Sequence, residues 1–134
     1  MPARSKARKR ALDILFEADQ RATDARVTLE QWVARADPPV PDYSRQLVNG
    51  VIDHRTSIDE LLSATSTEWT LDRMPSVDRT VLRLAVYELL WCEDIPTAVA
   101  IDEAIELAKS LSTDESPAFI NGILSRVARE RSAS

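Results

Sequence analysis

The sequence predicts an all-α protein of about six to seven helices packed round one that is buried on most sides. Apolar residues recur at three- and four-residue steps through most of the 134 residues, which is the helical period. In the stretch 75–91, Val81, Leu82, Leu84, Ala85, Val86, Leu89 and Trp91 cover well over half of a helical circumference, and Thr80, Arg83 and Tyr87 share the remaining wedge. A surface helix shows a narrower stripe, so this one is expected to be the central post of the fold. The breaks between patterns fall at Asp37-Pro38-Pro39-Val40-Pro41, Asp94-Ile95-Pro96 and Ser116-Pro117, where proline ends or starts a helix.

Taken in order, the first helix is expected from about Ser5 to Gln20, with Ala7, Ala11, Ile14, Leu15 and Ala18 forming one stripe. Leu12 and Phe16 stand off that stripe, on the side of Lys9, which puts an aromatic ring beside a basic cluster. A helix packed on two sides and an aromatic platform for stacking bases are both open there, since a ring can show one edge to solvent. Thr28 and Gln31 have the spacing of a capping box, predicting a short helix from Leu29 to Ala36 with Trp32 and Val33 inward. The following DPPVP segment is expected to be an extended connector between helices. From Asp42 a long helical pattern carries Tyr43, Leu47, Val48, Val51, Ile52, Ile58, Leu61 and Leu62, with a bend expected near Thr56 and Ser57.

A short turn with Trp69 and Leu71 leads to the central helix, whose start is marked by Pro75 and by Asp78 near the positive end of the helix dipole. Glu88 points to its apolar side and calls for a partner, most simply an arginine of a neighbouring helix. Leu90 and Trp91 lie toward the wedge near its end, where an exposed aromatic would suit an interface between copies of the chain. Thr97 can cap the next helix, whose stripe is Val99, Ile101, Ala104, Ile105, Ala108 and Leu111. Asp102, Glu103 and Glu106 on its outer face are ordinary dipole partners of a first turn rather than an acid-base pair. Ser116-Pro117 opens the last helix, with Ile120, Ile123, Leu124 and Val127 buried and Phe119, Gly122 and Arg126 together at one edge.

Composition narrows the function. Hydrophobic residues make up 44% and charged residues 29%, as in an ordinary globular domain, and no apolar run approaches the roughly 20 residues of a membrane span. One domain, 1–134, in the cytoplasm is the expectation. Cys92 and His54 are each the sole residue of their type, which removes disulfides, Cys/His zinc sites and histidine catalysis not using His54 itself. His54 has no second chemical group beside it, and two glycines cannot build a phosphate-binding loop, so neither catalytic residues, metal nor cofactor is expected. The net charge of −5 hides an asymmetry: residues 1–10 hold Arg4, Lys6, Arg8, Lys9 and Arg10 with no acid. The other 124 residues carry 12 basic and 22 acidic side chains, a net of −10. A basic arm on an acidic body attracts nucleic acid at one end only. Five phosphate contacts to single-stranded RNA would give a log-log salt slope no steeper than about −3.5.

Both glycines follow asparagine inside helical apolar patterns, at Asn49-Gly50 and Asn121-Gly122. Each is expected to mark a close helix contact, since an interior glycine otherwise forfeits about 1 kcal/mol of helix propensity. At Gly122 room for an RNA base is the alternative, because Phe119 and Arg126 share its edge.

With these motifs placed, the chain resembles the NusB family of transcription antitermination factors over almost its whole length. The resemblance rests on the basic start with Ala7, Ala11, Leu15 and Phe16, then on Asp78-Arg79-Thr80-Val81-Leu82-Arg83-Leu84-Ala85-Val86-Tyr87-Glu88-Leu89. It continues through Ile95-Pro96, the run from Ile101 to Lys109 (IDEAIELAK) and Phe119-Ile120-Asn121-Gly122-Ile123-Leu124. It implies two small helical bundles and binding of boxA RNA jointly with NusE, a small-subunit ribosomal protein, in a complex that modifies RNA polymerase on ribosomal RNA operons. It places Arg4, Lys6, Arg8, Lys9 and Arg10 in the RNA-binding region. Phe16 stands where a tyrosine is common, Phe119 begins a second RNA-facing region that includes Arg126, and Asp78 and Arg79 lie on a NusE-facing surface. Trp91-Cys92 and Ser116-Pro117-Ala118 depart from the more polar residues usual there. Two other readings stand beside this one: a module of the kind that precedes ribosomal RNA methyltransferase domains, for which the chain leaves no catalytic room, and a structural helical dimer.

Overall fold

The structure, a computed structural model, describes residues 2–35 and 39–133, with side chains described through Arg131. Seven α-helices and one 3-10 turn account for most of it, and no strand occurs among the described residues. The chain forms two compact units, Met1–Asp53 and His54–Ser134.

In the first unit α1 (Ala3–Arg21), α2 (Ala25–Arg35) and α3 (Asp42–Asp53) pack pairwise on one another. The buried side chains of α1 are the expected stripe together with Arg8 and Leu12, while Phe16 is half-buried. Ala7 and Ala11 make one face of α1 so slight that Ser44 of α3 reaches it and donates its hydroxyl to the Ala7 carbonyl oxygen at 2.7 Å. The helix closes on Ala22, which adopts a left-handed conformation (φ 52°, ψ 42°) and returns its N–H to the carbonyls of Ala18 and Asp19.

The second helix departs from expectation. It starts at Ala25, three residues before Thr28, because the Asp24 carboxylate accepts the Arg26 backbone N–H at 2.9 Å at that earlier point. Thr28 is therefore an interior residue, buried, with its hydroxyl bonded back to the Asp24 carbonyl at 3.4 Å. Leu29 is buried, Trp32 half-buried and Val33 outward, 43% exposed. Ala36, Asp37 and Pro38 lie outside the described residues, and with them the expected end of this helix and much of the DPPVP connector.

The long pattern from Asp42 breaks at His54 (φ −111°, ψ 13°), two residues before the expected bend, giving α3 and α4 (Arg55–Thr65). In the second unit α5 (Ser76–Trp91) packs against α4, α6 (Thr97–Leu111) and α7 (Ser116–Ala133), and a 3-10 turn at Leu71–Arg73 precedes it. Every residue of α5 from Thr80 to Leu89 is buried, Glu88 included. The expected outer wedge is thus enclosed as well. Thr80 bonds its own helix at the Ser76 carbonyl (2.8 Å), Arg83 forks onto the Asp59 carboxylate of α4 (2.8 and 3.1 Å), and Tyr87 stacks on His54. Burial pulls the Arg83 guanidinium below its ordinary pKa, and the Asp59 hydrogen bond and charge oppose that shift.

Helix α6 turns three of its alanines inward: Ala100, Ala104 and Ala108, four residues apart, are buried, while Val99 and Leu111, expected on that face, are 40% and 38% exposed. Small side chains let α6 lie close to α5 and α7 without the bulk the sequence pattern suggested.

Candidate nucleic-acid interface

The basic residues of 1–10 are set by α1, which begins at Ala3 and so carries them on a helix. Arg4 and Lys6 are exposed, and Lys9 and Arg10 half-buried. Arg8 is the exception. At 2% exposed it belongs to the interior, one turn from Arg4 on the side where α3 packs, so it does not join the solvent-facing cations as the sequence alone suggested. Lys9 is held by both oxygens of Asp13 one turn on, at 2.6 and 2.7 Å. The guanidinium carbons of Arg4 and Arg8 lie 4.7 and 5.8 Å from the Tyr43 ring centroid, and that of Arg10 lies 5.9 Å from the Trp32 ring. Half-buried Phe16 keeps an edge accessible on the same helix.

The second unit contains an open cleft of about 540 Å³. Its floor is α7, where Ala118, Phe119, Gly122 and Arg126 follow one another along one side, and its wall is the last residue of α4, Thr65, with the 66–69 loop. Trp69, 38% exposed, meets Phe119 with ring centroids 5.0 Å apart and planes tilted by 58°. Arg126 closes the cleft by donating to the Thr65 carbonyl oxygen at 2.9 Å. A Cβ added at Gly122 would meet nothing within 4 Å, and Gly122 is exposed. Among the described residues nothing comes within 4 Å of that position, so the expected core contact is replaced by an opening in the cleft floor. Gly50, by contrast, is buried in α3. Trp69, by sequence pattern a turn residue, lines the cleft. The available signal was one large aromatic in an otherwise polar loop, Thr65 to Thr70.

Asp78 was expected on a partner-facing surface, yet it is 1% exposed. Its two oxygens accept the hydroxyls of Ser112 (2.5 Å) and Ser116 (2.9 Å), and Ser116 in turn accepts the Thr113 backbone N–H at 3.3 Å. The carboxylate therefore fastens the α6–α7 junction to the first turn of α5. Arg79, half-buried beside it, donates to the Leu71 carbonyl oxygen at 3.0 Å and shapes the surface at the 3-10 turn. Elsewhere His54 stacks on Trp91 with centroids 4.1 Å apart and planes 17° apart, leaving the indole 36% exposed. Among the described residues no group of three or more His, Cys, Asp or Glu is placed to hold a metal ion, and no helix is long and apolar enough to cross a membrane.

Residues 5–129 match the family model of the NusB family. The chain belongs to the NusB family. Among its NusB relatives, the transcription antitermination protein of a Nocardioides species is 56% identical over 131 residues, covering 98% of this chain and 97% of that protein. That of Acidothermus cellulolyticus is 57% identical over 127 residues, covering 95% and 88%. The solved structure of T. maritima NusB superposes with a TM-score of 0.87 at 39% identity, over 97% of this chain and 92% of that one. A NusB solved with NusE and double-stranded RNA shares the fold at a TM-score of 0.82, 24% identity and coverage of 95% and 96%.

Proposed function

We propose that this NusB-family chain is an RNA-binding antitermination factor without catalysis of its own, acting in the cytoplasm. It binds boxA RNA of ribosomal RNA operons with NusE, within the RNA polymerase antitermination complex. The carrying observation is the opening of α1, whose first turns carry exposed Arg4 and Lys6 and half-buried Lys9 and Arg10 on a chain whose remainder is strongly acidic. Support comes from the relatives, which are named transcription antitermination proteins, and from the NusB of the same fold solved with NusE and RNA. The cleft within the second unit is suited to an unstacked base, with Trp69 and Phe119 as ring partners and Gly122 as the open floor. The NusE-facing surface in this reading centres on Arg79, with Asp78 beneath it as its internal fastening. Excluding buried Arg8 leaves four cations, so a single-stranded boxA RNA is expected to show a salt slope no steeper than about −2.8. Titrations across salt, with and without NusE, test this. Charge removal at Arg4, Lys6, Lys9 and Arg10 that leaves affinity and slope unchanged in a folded protein would refute it.

A homodimer built on Trp91 is a further part of the proposal, motivated by an indole 36% exposed and braced by His54. Light scattering is expected to show a dimer that Trp91→Ala converts to monomer. A monomer mass for the parent chain throughout the micromolar range removes this part.

A further inference from the structure

Arg4 and Arg8 stand one helical turn apart on α1, and the ring of Tyr43, the second residue of α3, lies against both. Two features of the chain fix the ring there. Ala7 and Ala11 offer α3 a face with almost no side-chain bulk. Ser44, adjacent to Tyr43 and itself fully buried, donates to the Ala7 carbonyl at 2.7 Å and pins the first turn of α3 to the basic turn of α1. Of the two arginines only Arg4 is exposed. An arginine near a helix start samples many rotamers, and fixing one of them on binding phosphate costs side-chain entropy. A guanidinium resting over an aromatic face loses part of that freedom beforehand.

We propose that Tyr43 is a positioning residue for RNA binding: its ring, fixed by Ser44, holds Arg4 pre-ordered for a phosphate contact. This rests on the RNA-binding reading of α1. Among the described residues exposed Lys6 has no ring contact of this kind, and Arg10 lies 5.9 Å from Trp32, near the outer limit of such interactions, so Tyr43 is the ring whose removal matters most.

The test uses the full chain and a single-stranded boxA RNA. Tyr43→Leu is expected to weaken binding about two- to five-fold and to flatten the salt slope by about 0.7, the value of one phosphate contact. Tyr43→Phe keeps the ring and is expected to restore both. In an Arg4→Gln background Tyr43→Leu is expected to add nothing, because the residue it positions is gone. The ring-current shift of the Arg4 side chain in NMR spectra is expected to vanish in Tyr43→Leu and persist in Tyr43→Phe. Parental affinity and slope in Tyr43→Leu, an undiminished effect in the Arg4→Gln background, or failure of Tyr43→Phe to rescue would each overturn the proposal. Those results, obtained while the parent chain binds RNA, strike this proposal alone; a parent chain that binds no RNA overturns the reading of α1 as well.

Discussion

Replacing Gly122 with alanine is expected to stabilise the protein, the reverse of what a glycine kept inside an apolar helical pattern suggests. The residue lies within α7, and the added Cβ would have nothing within 4 Å to strike. With no contact to disturb, the change reduces to backbone propensity, in which alanine exceeds glycine by about 1 kcal/mol in a helix interior. For a chain of this size that corresponds to a rise in Tm of roughly 3 to 4 °C. Thermal denaturation followed by circular dichroism measures it directly. The same variant separates stability from recognition, because Gly122 forms the floor of the cleft beside Phe119. A methyl group there leaves the walls untouched, whereas Gly122→Leu is expected to fill the floor and weaken RNA binding while the fold stays intact. A lower Tm in Gly122→Ala would show that a neighbour does approach, and would refute the reasoning. Loss of RNA binding at raised Tm would instead place the bare backbone in contact with RNA.

Three further predictions concern other elements. Ala22→Gly is expected to stabilise by about 0.5 to 1 kcal/mol, since glycine carries no Cβ penalty at the left-handed cap of α1; an unchanged or lower Tm counts against it. Asp78→Ala is expected to cost about 1 to 3 kcal/mol by leaving the Ser112 and Ser116 hydroxyls without their acceptor, and Asp78→Asn, which keeps one acceptor oxygen, is expected to cost less in the same melts. The Thr70 hydroxyl, at 2.6 Å, is the main cause holding the Asp72 carboxyl below its ordinary pKa, with the residue's own backbone N–H second. The folded value being the lower one, the stabilisation it contributes is present above the ordinary carboxylate range and is lost as pH falls through the folded pKa. NMR titration of Thr70→Ala is expected to move the Asp72 midpoint upward, and an unmoved midpoint would discount the hydroxyl.

The sequence by itself determined the helical class, the buried central helix α5 and the basic start of α1, because each is written in local period or local charge. The family resemblance was equally legible, since it rests on the order of short motifs. Burial of individual groups depends on what packs against them, and that only the tertiary structure decided. Arg8 has the same sequence surroundings as Arg4 and Lys9, yet it is enclosed where α3 meets the alanine face of α1. Asp78 looks like any acid in a first helical turn until two serines 34 and 38 residues away donate to it. Thr28 and Gln31 spelled a cap, and Asp24 claimed the helix start because its carboxylate reached a backbone N–H first. Gly122 presents the same pattern as Gly50, but one is exposed on a cleft floor and the other is buried, since helical period records which residues are apolar and not which faces find a neighbour.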